Sequence, residues 1–161
     1  MIWQERYNEA HESNFKDKYP AAYRDGHYCP PKKPDSKSTN GISRVILNYL
    51  TWSGHHCNRL NVVGSQIGKI ERTAYGNLID TRKWIKSSTR RGTADLLCSI
   101  DGRMICIEVK NKATKDRMSG HQEQEQQRVE KSGAIYKVIT GVEEFFGWYD
   151  SYLINHKAIK L

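Results

Sequence analysis

The sequence lacks the features of an exported or membrane-spanning chain. Its first residues, MIWQERYNEA, have no basic start, apolar stretch or small-residue cleavage site of a secretory signal, and no apolar run is long enough to cross a bilayer. The four cysteines are scattered through 161 residues, a length that needs no disulfide staples, so we expect reduced thiols. These absences predict a soluble, intracellular, cytoplasmic protein without a membrane partner.

The chain also has few apolar residues. A hydrophobic fraction of 37% is low for a chain of this length, so we expect one core with the start of the chain outside it. Residues 1–40 are aromatic and polar without a sustained period, and three of the four prolines lie at positions 30, 31 and 34. We therefore interpret residues 1–37 as an N-terminal extension, a short helix followed by a Pro/Lys-rich connector, and residues 38–161 as the main domain.

The sequence also lacks a regular zinc-ligand spacing and has fewer acidic than basic residues. His27, Cys29, His55, His56 and Cys57 have no CxxC pair or regular ligand spacing, which disfavours a zinc site. Lys and Arg outnumber Asp and Glu by 26 to 18, giving a net charge of +8 and an isoelectric point near 9.3. This excess favours polyanionic partners such as nucleic acid, although solubility alone is the alternative explanation.

The periodicity of residues 38–161 predicts a mixed α/β order. Ser38 or Thr39 caps a helix whose apolar residues recur at helical spacing until Gly54 ends it. HHCNRLNVVG then predicts a strand, GSQIGKIERTAYGN a mobile loop, and residues 79–85 a short ordered piece. SGHQEQEQQRVEKSG predicts a helix ending at Gly133, AIYKVIT a strand returning to the sheet, and the final segment a helix.

The strongest local signal is a hairpin in TADLLCSIDGRMICIEVK. Two apolar runs flank Asp101-Gly102, a typical two-residue hairpin turn. With that turn Ile100 faces Arg103, and the same register brings Asp95 directly opposite Glu108. Lys110, two residues beyond Glu108, points to the same face. The hairpin therefore predicts two carboxylates and a lysine at one place.

Two neighbouring carboxylates in a partly buried site repel each other unless a cation supplies the missing charge. Mg²⁺ or Mn²⁺ fits, held by Asp95, Glu108 and the Val109 carbonyl, since such ions need only one or two carboxylates plus substrate phosphate. Lys110 then positions water and stabilises negative charge in the transition state of phosphodiester hydrolysis. The structural alternative is an exposed strand face on which Lys110 forms a cross-strand salt bridge.

GTADLL, the thirteen positions from Asp95 to Glu108, and IEVK closely resemble the core of the PD-(D/E)XK nucleases, with Ala94 in place of the proline of the name. Together with MSGHQ and SGAIYKVI, they resemble the VRR-NUC family within that superfamily, over roughly residues 38–140. The resemblance implies a restriction-endonuclease-like core, a mixed central sheet flanked by helices. It adds Gln122 to the catalytic residues, and it implies stand-alone phage or bacterial enzymes that form homodimers and act on branched DNA such as Holliday junctions.

One departure and several cations complete the prediction. The family often has a glutamate in the first core helix, where STNGIS offers only Thr39 or Asn40, so the residue that completes the metal site is undetermined.

We expect six cations to contact DNA phosphates: Arg59, Arg90, Arg91, Lys112, Lys115 and Arg117. Two alternatives stay open, a DNA-binding module that has lost catalysis and a restriction-type enzyme that reads a duplex sequence.

Overall fold

The structure, a computed structural model, describes residues 2–60, 64–112 and 116–157. In these ranges the elements are α1 (Trp3–Lys18), α2 (Pro20–Arg24), α3 (Thr39–Trp52), β1 (His56–Arg59), β2 (Ser65–Ile67), β3 (Ile70–Arg72), β4 (Leu78–Asp80), β5 (Lys83–Ile85), β6 (Leu96–Ile100), β7 (Arg103–Val109), α4 (Gly120–Lys131), β8 (Ile135–Ile139) and α5 (Val142–Lys157). None of the helices in the described ranges is long and apolar enough to span a bilayer.

A four-stranded sheet in the order β1-β6-β7-β8 forms the centre of the fold. β6 is antiparallel to both β1 and β7, whereas β8 runs parallel to β7. The main core joins one face of this sheet to α1, α3 and α5, while a smaller apolar cluster joins the other face to α4 through Val129. The predicted mixed α/β fold, with a mixed sheet flanked by helices, is confirmed.

The first core helix forms where the sequence predicts it. Ser38 precedes α3, and its Oγ accepts a hydrogen bond from the Gly41 backbone N–H at 3.0 Å. Ile42, Val45, Ile46 and Leu50 form its buried stripe. The helix ends two residues before Gly54, whose φ of +83° is accessible to glycine at little cost.

The hairpin register is confirmed for every pair in the β6–β7 ladder, from Leu96 opposite Ile107 to Ile100 opposite Arg103. Asp101 and Gly102 both have positive φ, as a type I′ turn requires. Alternation sends Ile105 and Ile107 into the main core. Cys106, and with it Glu108, therefore belongs to the α4 face of the sheet.

The prediction that the start of the chain lies outside the core is wrong for α1. Trp3 and Tyr7 are buried in the main core, and the indole Nε1 of Trp3 donates a hydrogen bond to Glu143 Oε1 at 2.9 Å. The Trp3 ring also stacks on Phe146 of α5, with ring centroids 6.5 Å apart. Trp3 and Tyr7 lie four positions apart, and therefore on one face of this mostly polar helix. The domain boundary between residues 37 and 38 stays a prediction.

The predicted loop at residues 64–77 is also wrong, because much of it is β-structure. β2 pairs with β5 and β3 pairs with β4, both antiparallel. Ser65 faces Ile85 and Ile70 faces Asp80, so the two ribbons share one register and form a single long hairpin. Its strands are only three residues long, too short to show a recognisable alternation in the sequence. Residues 61–63 of the predicted first strand lie outside the described residues.

Candidate active site

The candidate site lies at the end of the β6–β7 hairpin that is remote from the turn. Asp95 immediately precedes β6, and its carbonyl accepts a hydrogen bond from Leu60 N at 2.8 Å. Its carboxylate Oδ2 accepts one from the Val109 backbone N–H at 2.9 Å. These two bonds fix Asp95 across the hairpin from Glu108, where the register predicts it.

Lys110 and Gln122 complete a polar cluster around Glu108. Lys110 Nζ lies 3.1 Å from Glu108 Oε1, 3.0 Å from Gln122 Oε1 and 3.5 Å from Asp116 Oδ1. The Gln122 amide Nε2 donates a hydrogen bond to Glu108 Oε1. Glu108 is only 3% exposed and Lys110 only 7%. The structure therefore brings together all four residues that the sequence predicts to be catalytic.

The first turn of α4 positions Gln122. Ser119 caps this helix: its Oγ accepts from Gln122 N at 3.3 Å, and its own backbone N–H donates to Gln122 Oε1 at 2.9 Å. This reciprocal pair is a capping box. The same amide oxygen that caps the helix thus also accepts from Lys110, so the start of α4 and the site form together.

Gly92 brings the loop before Asp95 against the same turn. Its φ is +85°, and a Cβ atom there would lie only 2.2 Å from the backbone oxygen of His121. Only glycine combines this conformation with so close an approach. The loop that leads into Asp95 and the helix that carries Gln122 are therefore in direct backbone contact.

The electrostatics of the cluster centre on Glu108. Burial, together with the charge of Asp95, raises the pKa of Glu108 to about 7, although the neighbouring Lys110 ammonium lowers it. Its second carboxylate oxygen, Oε2, is buried and has no hydrogen-bond partner among the described residues. A buried carboxylate oxygen without a partner is costly, so this atom fits contact with a cation.

The donor chemistry fits a hard divalent cation. In the part of the chain that the structure describes, no three His, Cys, Asp or Glu side chains are placed to hold a metal ion. A metal at this site would thus depend on the carboxylates of Asp95 and Glu108, with the Val109 carbonyl, water and substrate phosphate as further ligands. Mg²⁺ commonly binds in this way, because it keeps several waters.

The cations that the sequence predicts to contact DNA do not form one cluster like the residues around Glu108. Arg59 lies on β1, which adjoins β6, and its guanidinium donates to Asn40 Oδ1 at 2.5 Å. Arg90 Nη1 lies 3.8 Å from Oε2 of Glu125 on α4. Arg91, Lys112 and Arg117 are exposed. Lys115 lies outside the described residues.

Sequence reasoning missed three residues of the site. Ser119 was detectable, because Ser-x-x-Gln before a helix is the signature of a capping box. Tyr136 of β8 pairs with Cys106 of β7, and its hydroxyl is buried without a hydrogen-bond partner in the described ranges. Burial, together with the charge of Glu108, raises the pKa of Tyr136. The loop residue Asp116 carries no local sequence signal.

A scan against protein-family models and a search of curated proteins each found no match to this chain. Its relation to the PD-(D/E)XK and VRR-NUC families therefore stays a prediction from the motifs.

Proposed function

We propose that the chain is a metal-dependent nuclease that hydrolyses phosphodiester bonds in DNA. The observation that carries this proposal is the convergence of Asp95, Glu108, Lys110 and Gln122 at one end of the hairpin. Two carboxylates lie beside a buried lysine, and one carboxylate has a buried oxygen with no hydrogen-bond partner among the described residues. This arrangement suits a cation and a phosphate better than it suits a structural salt bridge.

Asp95 and Glu108 would hold Mg²⁺ or Mn²⁺ together with the Val109 carbonyl. When bound, such an ion polarises a phosphate oxygen and lowers the pKa of a coordinated water. Gln122 keeps Glu108 oriented, because its amide donates to Oε1 and leaves Oε2 for other partners.

Lys110 supplies positive charge at the reacting phosphate. Two of its contacts, to Glu108 and Gln122, are short, whereas the one to Asp116 spans 3.5 Å and involves a carboxylate that is 39% exposed. The contact to Asp116 is therefore the one that a phosphate oxygen would replace. An ammonium group held this way stabilises charge that develops in the transition state without having to reorganise.

Branched DNA such as a Holliday junction is the substrate that we propose, cut by a homodimer. The support is the resemblance of the hairpin and of Gln122 to the VRR-NUC motifs, together with the net charge of +8. The exposed cations Arg90, Arg91, Lys112 and Arg117 would contact phosphates outside the reacting centre.

A second candidate function is a DNA-binding module without catalysis. The observation that favours it is at the start of α3, where the family often has a glutamate. There Asn40, one of the two residues that could replace this glutamate, accepts a hydrogen bond from Arg59. An inactive module would bind DNA without a divalent ion and leave it intact.

Cleavage of labelled single-stranded, duplex, flap and four-way-junction DNA, with Mg²⁺, Mn²⁺ or EDTA, separates the two candidates. We expect metal-dependent cutting by the wild type, loss of at least about 100-fold in Asp95→Ala and Lys110→Ala, and wild-type rates in the control Lys131→Ala, an exposed lysine at the end of α4. Tight, salt-sensitive binding without cutting of any substrate would overturn the nuclease proposal in favour of the binding module.

A further inference from the structure

The long hairpin formed by β2 to β5 is exposed on both of its faces. Between residues 65 and 86, every residue except Thr73 is exposed. We call this segment, residues 65–86, the arm. A two-stranded ribbon without a covered face is at best marginally stable in water. Its exposure indicates a surface that another molecule contacts.

Large apolar side chains line the arm. Tyr75 is 93% exposed, Leu78 68% and Trp84 61%, and four isoleucines are each about half exposed: Ile67, Ile70, Ile79 and Ile85. Single exposed apolar residues are common, but this many on one short hairpin indicate an interaction surface. The ribbon therefore offers apolar and aromatic contacts as well as backbone.

The charge of the arm identifies the kind of partner. Residues 65–91, the arm and its base, contain seven Lys or Arg and two Asp or Glu, so they carry +5 of the net charge of +8. Both acids already form ion pairs within the arm: Lys69 Nζ lies 2.8 Å from Glu71 Oε1, and Arg82 Nη2 lies 2.6 Å from Asp80 Oδ2. Two copies of this surface would repel each other, whereas a polyanion would neutralise it.

The base of the arm leads directly to the candidate active site. Residues 86–91 connect β5 to Gly92, which packs against the backbone of His121 beside Gln122. Arg90 in this connection lies 3.8 Å from Glu125 of α4. A polyanion bound along the arm would therefore extend to the cluster around Glu108.

The shape of the arm fits duplex DNA. Each of its strands has about ten residues, which at about 3.3 Å per residue gives a length of about 30 Å. One turn of B-DNA is about 34 Å long, and its major groove admits a two-stranded β-ribbon. We propose that the arm is a DNA-binding ribbon that lies on the duplex next to the scissile phosphate, with Arg72, Lys83 and Lys86 on the phosphates and Trp84 among its apolar contacts. The role beside the scissile phosphate rests on the proposed nuclease function, but the binding does not.

Fluorescence anisotropy with a labelled 30-base-pair duplex in EDTA tests the arm without any cleavage. The test variant is Arg72→Ala/Lys83→Ala/Lys86→Ala, and the matched control removes three exposed cations from α1 and α2 as Lys16→Ala/Lys18→Ala/Arg24→Ala. We expect the arm variant to bind at least about tenfold more weakly, with a salt slope reduced by about 2 to 3, and the control to change binding less than about twofold. Far-ultraviolet circular dichroism and thermal unfolding show whether both variants keep the fold.

Equal weakening in both variants, or wild-type binding by the arm variant, would overturn the proposal. Analytical ultracentrifugation tests the alternative partner, a second copy of the chain. A wild-type dimer that becomes monomeric in the arm variant, with DNA binding unchanged, would assign the arm to the dimer interface. Cleavage by the wild type with Mg²⁺ separates this inference from the nuclease proposal. If the wild type cuts no DNA while the arm variant loses binding, the nuclease proposal fails and the arm proposal stands.

Discussion

Lys110 Nζ lies 3.1 Å from Glu108 Oε1, and both side chains are almost completely removed from solvent. A buried ion pair of this kind gains little net stability, because each charge loses its hydration. Gln122 offsets part of that cost by accepting from the lysine and donating to the glutamate. The cost that remains argues against a mainly stabilising role and is consistent with the proposed catalytic role of the pair.

Replacing Gln122 tests whether this amide orients the site. We expect Gln122→Ala to lower the rate of DNA cleavage by about 10- to 100-fold, because residues that orient metal ligands typically contribute that much. Single-turnover cleavage and the Mn²⁺ affinity are the measurements. The control is Gln124→Ala, an exposed glutamine on the same helix. Similar rates for the two variants would contradict an orienting role for Gln122.

Because the pKa of Glu108 is raised, we expect the stability of the metal-free protein to depend on pH. Because burial raises the pKa of Glu108 from 4.5 to about 7, the folded protein holds this proton more tightly than the unfolded chain does. The free energy of unfolding should therefore fall as the pH rises from about 4.5 to about 7. Glu108→Gln does not ionise, so its stability relative to the wild type should increase over this window, by on the order of 2 kcal/mol.

Urea unfolding in EDTA at pH 5, 6, 7 and 8 measures this difference. Glu123→Gln, which removes a carboxylate at an exposed position of α4, is the control. A difference for Glu108→Gln that is flat, or that changes in the opposite direction, would show that Glu108 is not the source of the dependence.

The hairpin and its site were predictable because a two-residue turn fixes the register of the strands around it. Asp101-Gly102 determines that Leu96 faces Ile107, and one further step places Asp95 opposite Glu108. The position of Gln122 followed only from the resemblance to a family. Its contacts with Lys110 and Glu108 depend on how α4 packs on the sheet, which no local pattern encodes.

The elements that were missed have weak local patterns. On α1 the buried Trp3 and Tyr7 have mostly polar neighbours in the sequence, so the helix has little amphipathic signal, and its burial depends on α3 and α5. In the arm, strands of three residues with both faces exposed show no alternation of apolar and polar residues. Tertiary contacts decide such cases, and neighbouring residues in the sequence do not reveal them.

Trp3 tests whether α1 is part of the core. We expect Trp3→Ala to lower the free energy of unfolding by about 3 kcal/mol, since it removes a buried aromatic ring and its hydrogen bond to Glu143. Urea denaturation measures this loss. Ser13→Ala, at an exposed position on the same helix, should be nearly neutral. A loss below about 0.5 kcal/mol for Trp3→Ala would return α1 to the role of a separate extension.

Gly92 links the stability of the fold to the geometry of the site. In Gly92→Ala the new Cβ would meet the His121 backbone oxygen at 2.2 Å, at a residue whose φ is +85°. We expect a loss of about 2 to 4 kcal/mol in urea unfolding and reduced DNA cleavage, because the first turn of α4 must move and carry Gln122 with it. In Gly120→Ala, the control on the same turn, a Cβ meets no atom within 4 Å, so stability should be unchanged or slightly higher. Wild-type stability and cleavage in Gly92→Ala would show that this backbone contact does not position Gln122.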